Sequence, residues 1–258
     1  MNKRLEKLFY LIWIESLTFL AGAINICAMV LYGMTITHYT GNISNAAIAI
    51  GSGQILILNK FLSYIVLFFL GSVIAGLLSH EQKSGLRKYH GIIPILFGII
   101  ILVIYKYFNS NVAILRILAF GMGIQNGTCK KIDGVLVRTT HMTGYITDAA
   151  FSLVSIIRGH SEQAWKLRFY LISISVYFAG GLASLITIKM IGSLAIAVVA
   201  ILYILHGIII SLGFVVGIDK DNILDEQLLP DEDVQMHTEV FCLSKSSTNR
   251  SSCKEASE

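Results

Sequence analysis

Thr37-His38-Tyr39-Thr40-Gly41-Asn42-Ile43-Ser44-Asn45-Ala46-Ala47 returns later in the chain as Thr140-His141-Met142-Thr143-Gly144-Tyr145-Ile146-Thr147-Asp148-Ala149-Ala150. Seven of the eleven positions are identical, and the Ser/Thr and Asn/Asp exchanges are nearly isosteric. Apolar helices resemble one another by chance, but an ordered polar T-H-x-T-G does not arise so cheaply. Working outward, Gly22-Ala23-Ile24-Asn25 matches Gly123-Ile124-Gln125-Asn126, Gly33 matches Gly134, and Phe69-Leu70-Gly71 matches Phe178-Ala179-Gly180. The chain therefore holds two copies of a unit of about 100 residues.

What surrounds the motif is apolar. Of 258 residues, 55% are hydrophobic and only 14% charged, too few charges to clothe a soluble domain of this length. Five runs, 9–32, 61–79, 92–107, 169–188 and 191–217, are long enough to cross about 30 Å of hydrocarbon at about 1.5 Å per residue. A sixth, 112–127, is shorter and is interrupted by Arg116, Gln125 and Asn126. Two more segments, 40–58 and 143–157, are helical in pattern but rich in Gly, Ser, Asn and Thr. Lys3, Arg4 and Lys7 ahead of an apolar run ending in Ala21-Gly22-Ala23 imitate a signal peptide. The recurrence of the same segment inside the chain makes it a retained span instead.

The expected fold is all-α: a polytopic transmembrane helix bundle of about six spans, two short re-entrant or interrupted helices and a two-fold internal repeat. Its parts are an N-terminus at 1–8, a first repeat at 9–107, a second at 112–217 and an acidic tail at 218–258. Positive-inside counting orients it. If the two motif helices dip in and return, the second unit is inverted, with twelve basic residues inside and four outside. If both cross, the units are parallel and the count falls to nine against seven. Charge favours inversion, with both termini cytoplasmic.

Residues 1–217 hold sixteen of the twenty Lys and Arg but six of the sixteen Asp and Glu, so a basic membrane body is joined to an acidic, Ser-rich tail read as disordered. That balance fits anionic lipid and topology rather than nucleic acid. Cys27, Cys129, Cys242 and Cys253 form no CxxC and no paired spacing with histidine, so neither a metal site nor a cofactor is indicated. H-E-x-x-H, G-x-S-x-G and Walker patterns are absent too, and an enzyme is not expected.

The candidate substrate-binding residues are those of the duplicated motif: His38, Thr40, Gly41, Asn42, His141, Thr143, Gly144 and Asp148. A helix opening at Thr40 or Thr143 presents free N–H groups, and imidazole titrates near neutrality. Asp148 is the acid expected at membrane depth, where a carboxylate is costly and hints at ion coupling. Asn25, Gln125 and Asn126 sit late in their spans, as polar support for the motif or as lining of a path. Glu15 and Arg116 are repeat-equivalent and opposite in charge, so they pair in parallel units and part in inverted ones.

Thr40-Gly41-Asn42, and the string from Gln125-Asn126 through Val137-Arg138-Thr139-Thr140-His141-Met142-Thr143-Gly144 to Thr147-Asp148, resemble the YoaK family over roughly residues 9–217. The resemblance implies a multi-pass protein of the bacterial inner membrane carrying a domain of unknown function, with no activity attached. The leading expectation is a secondary transporter or permease for a small solute, its site between the two T-H-x-T-G helix starts. The alternative is a membrane scaffold or accessory subunit docking through the acidic tail.

Overall fold

A computed structural model of the chain describes residues 3–79, 88–108, 110–128, 131–132 and 135–215. Eight helices follow one another among them: α1 Lys3–Tyr32, α2 Tyr39–Gly51, α3 Ile55–Ser79, α4 Lys88–Tyr107, α5 Asn111–Gly127, α6 Met142–Ile157, α7 Ala164–Ile191 and α8 Ala195–Val215. A small antiparallel pair, Lys131–Ile132 with Val135–Leu136, precedes α6. The acidic tail lies outside the described residues.

The molecule is inside out relative to a water-soluble bundle. Phe69, Phe178 and Met190 are 64–77% exposed, whereas Asn25, Thr37, Asn42, Gln125, Thr139, Thr140 and Ser173 are all buried. Only a solvent poorer in hydrogen bonds than the protein interior makes that arrangement favourable. Four stretches are long and apolar enough to cross a membrane: Leu8–Tyr32, Ile55–Leu78, Tyr89–Tyr107 and Ser161–Leu212. The last, 52 residues long, holds both α7 and α8. The two are separated at Gly192, whose φ of 62° suits glycine and ends the α7 ladder. Helix α5, at 17 residues, spans about 25 Å.

Two boundaries differ from the sequence reading. The segment 40–58 is not one helix: it breaks at Ser52-Gly53, where Gly53 adopts φ 66°, and the chain from Ile55 onward belongs to α3. The motif helices start at Tyr39 and Met142, one residue earlier than expected. Their N-cap residues are His38 and His141 rather than threonine, and neither side chain caps the helix.

Helices α1 and α7, α3 and α5, and α4 and α8 form the principal packed pairs, with α2 on α3 and α6 on α7. The first two pairs are held by the same device. A Cβ at Gly22 would overlap the Tyr177 carbonyl, and one at Gly180 the Phe19 carbonyl. At the other seam, a Cβ at Gly123 would overlap the Phe68 carbonyl and one at Gly71 the Phe120 carbonyl. Glycine here brings backbones together, since apolar contact alone drives little association in lipid. Gly22, Phe19, Gly180 and Tyr177 are the repeat counterparts of Gly123, Phe120, Gly71 and Phe68, so the two seams exchange under the repeat.

Contacts along each pair give its direction. Glu15 meets Ser173 and Cys27 meets Ser184, so α1 and α7 run parallel. Arg116 meets Ser63 and Gly127 meets Ala75, so α5 and α3 are parallel as well. Gly91 meets Ser211 whereas Gly98 meets Ala200, so α4 and α8 are antiparallel.

Candidate functional site

Between α1 and α2 the chain turns back against α1. The Asn25 carbonyl oxygen accepts from the backbone N–H groups of Ile36 (3.1 Å) and Thr37 (3.3 Å). From the far side, the buried Asn42 amide donates to the Thr35 carbonyl at 3.2 Å. The Thr37 hydroxyl, so fixed, lies 2.8 Å from the hydroxyl of Tyr177, which sits midway along α7.

The second copy is built on equivalent positions with different chemistry. The Asn126 carbonyl accepts from the Thr140 hydroxyl at 2.8 Å. Tyr145, standing where the first copy has Asn42, accepts from the Arg138 N–H at 2.8 Å. Gln125 makes the most connections: its amide donates to the Leu17 carbonyl (3.1 Å) and the Thr139 hydroxyl (2.9 Å), and its oxygen accepts from Tyr203 of α8 (2.9 Å). A crevice with room for about one water lies beside it, lined by Trp13, Leu17, Gln125, Thr128, Val137 and Thr139.

Leu17 and Asn25 are eight residues apart on α1, which sets the two anchor points about 12 Å apart along the helix. Tyr177 bonds to Thr37 on the first loop, and Tyr203 bonds to Gln125. Two groups of hydroxyls and amides result, Thr37–Tyr177 and Tyr203–Gln125–Thr139, which together form a polar line. It carries no charged group.

The sequence-derived candidates are dispersed around this line. Asn42 is buried and His38 half-buried, while Thr40, Gly41, His141, Thr143 and Asp148 are exposed and Gly144 is intermediate. Burial of His38, in the loop outside the spans, pushes its imidazole pKa below the ordinary value. The His141 ring folds over Gly144, where a Cβ would stand 2.7 Å from the ring, whereas Gly41 faces open space. Helices α2 and α6 pack on α3 and α7 respectively, and the polar line joins the loops ahead of the helix starts rather than the starts themselves. Thr37 and Thr140 were visible as identities in the repeat, and Thr139 as their neighbour. Tyr177, Tyr203 and Trp13 carry no local signal, being single aromatics in apolar helices.

Glu15 and Arg116 do not pair. Glu15 accepts from Ser173 on the α1–α7 seam, and the exposed Arg116 donates to Ser63 on the α3–α5 seam.

Apolar spans with buried polar connections define a polytopic, all-α integral membrane protein that meets the lipid bilayer directly. The chain belongs to the family described as protein of unknown function (DUF1275), sometimes called YoaK, whose model matches residues 15–209. No curated protein and no solved structure matches it.

Proposed function

We propose that this protein is a secondary transporter or permease of the bacterial inner membrane, not an enzyme, that moves a small neutral polar solute along the Thr37–Tyr177–Tyr203–Gln125–Thr139 line. The observation that carries the reading is the pair of uncharged hydrogen-bonded groups, Thr37–Tyr177 and Tyr203–Gln125–Thr139, within an apolar bundle, each reaching an irregular loop. Hydroxyls and amides exchange hydrogen bonds with a neutral polar solute, whereas an ion on the path would meet no counter-charge.

Six spans in two inverted halves complete the proposal. In an eight-span arrangement α4 and α8 would cross in the same direction, yet their contacts run antiparallel. Re-entrant α2 and α6 agree with those contacts and with the parallel α1–α7 and α3–α5 pairs. They also agree with the distribution of Lys and Arg, and this arrangement puts both termini in the cytoplasm.

The test is flux of small neutral polar solutes into proteoliposomes. Tyr177→Phe and Tyr203→Phe are expected to slow it several-fold while each costs about 0.6 kcal/mol of stability, the usual scale of one intramembrane hydrogen bond. Wild-type vesicles no more permeable than protein-free ones, across a panel of polyols, amides and zwitterions, would sink the proposal.

A further inference from the structure

Glu15 stands seven residues into the Leu8–Tyr32 span, about 10 Å along the helix from its start. Its Oε1 accepts from the Ser173 hydroxyl at 2.6 Å, and its Oε2 is buried with no hydrogen-bond partner. The next residue meets a second ionisable group. The Ser16 hydroxyl donates to the Trp13 carbonyl at 2.7 Å and lies 3.1 Å from His206 Nδ1 on α8. With the serine proton committed to Trp13, His206 is the donor through Nδ1–H, which leaves Nε2 as a bare acceptor. That atom too is buried without a partner.

Consecutive residues of α1 thus hold two groups, the Glu15 carboxyl and the His206 ring bonded to Ser16, each with one unoccupied proton-accepting atom. A bare carboxylate costs several kcal/mol in such a setting unless it is paired. The other ionisable groups on the helices packed against α1 at this level are Tyr170 and Tyr177 of α7, Tyr203 of α8, and His90 of α4, whose buried ring meets Trp13 edge-on at 5.0 Å. None of them bonds to Glu15. Arg168 and Lys166 lie five and seven residues before Ser173 and form no ion pair with Glu15, and Arg116 of α5 lies on the other seam. A metal cation would require several oxygen ligands, and among the described residues Ser173 supplies the only side-chain oxygen bonded to the carboxylate.

We propose that Glu15 is a proton-binding carboxyl inside the membrane, taking H⁺ on Oε2, with His206 as a second base on the neighbouring helix. The step is reversible protonation, with the proton drawn from and returned to solvent. Tyr177 and Tyr203 lie one turn from Ser173 and His206, so the proton site adjoins the polar line. Its role as the coupling ion rests on the transport reading; its existence does not.

Infrared difference spectroscopy tests it on the full chain in phosphatidylethanolamine–phosphatidylglycerol vesicles. The wild type is expected to show the carbonyl band of a protonated carboxylic acid at neutral pH. Glu15→Gln, an isostere that still accepts from Ser173, is expected to lose that band while remaining folded. His206→Gln is expected to keep the band and move the pH at which it fades. A band unchanged in Glu15→Gln, or no such band in the wild type, overturns the proposal. Because this measurement needs no solute, a failure of flux alone strikes the transport reading and leaves the proton site standing.

Discussion

The two T-H-x-T-G segments sit in matching helix contacts and spend their polar groups differently. In the first, Asn25 holds the returning loop by two backbone N–H groups and Asn42 grips it from the other side. In the second, Asn126 and Tyr145 take those places, accepting from the Thr140 hydroxyl and the Arg138 N–H, and Gln125 reaches out to α1, Thr139 and α8. One loop is fastened through its backbone, and the other is wired by side chains to the rest of the bundle. Glycine seams are kept in both copies because close backbone approach admits no substitute. Polar groups have diverged, with Glu15 on one seam and Arg116 on the other.

The seams should be the most sensitive and the most alike. Gly22→Val and Gly123→Val are each expected to abolish a monodisperse protein in detergent, since the added atoms meet backbone carbonyls that cannot move aside. The cost should exceed the roughly 1–3 kcal/mol typical of overpacking. One seam tolerating the change while the other collapses would show that the halves are not mechanically equivalent.

Next come the loop anchors, where the halves should part. Asn25→Leu leaves the N–H groups of Ile36 and Thr37 without their acceptor, each a loss of about 1–3 kcal/mol. Gln125→Leu frees two hydroxyls that can rotate to other partners, so its thermal melting should fall less and its flux more. Paired melting and flux measurements decide this, and equal effects on both would erase the distinction.

The smallest effect is a pH dependence peculiar to the first loop. His38 has a folded pKa below its unfolded one, so the unfolded chain binds more protons over the window between them. Stability is therefore full above the unfolded value, about 6.5, and is lost as pH falls toward the folded one. His38→Gln should flatten the acid side of the melting-temperature profile by a degree or two, and an unchanged profile would place the acid sensitivity elsewhere.

Much of this was written along the chain. The duplicated T-H-x-T-G, the apolar runs and the uneven Lys and Arg announce a membrane bundle with an internal repeat, because lipid enforces composition on every lipid-facing residue and a repeated polar string stands out against it. The short α2 was legible only in part: the Gly51-Ser52-Gly53 break lies within a run of helical composition, and the positive φ at Gly53 is a choice of backbone rather than of pattern. Candidate residues were read from the motif, yet the buried hydrogen bonds fall mainly on its flanks, at Thr37, Thr139 and Thr140.

Sequence by itself determined that this chain lives in a membrane and carries its T-H-x-T-G string twice, since hydropathy and identity are properties of residues taken in order. Only the tertiary structure decided which seams close, that α4 and α8 run against one another, and that Tyr177 meets Thr37 while Tyr203 meets Gln125. Those facts depend on residues from about fifty to more than 150 positions apart meeting across helices. A lone tyrosine in an apolar helix looks the same whether its hydroxyl faces lipid or a partner.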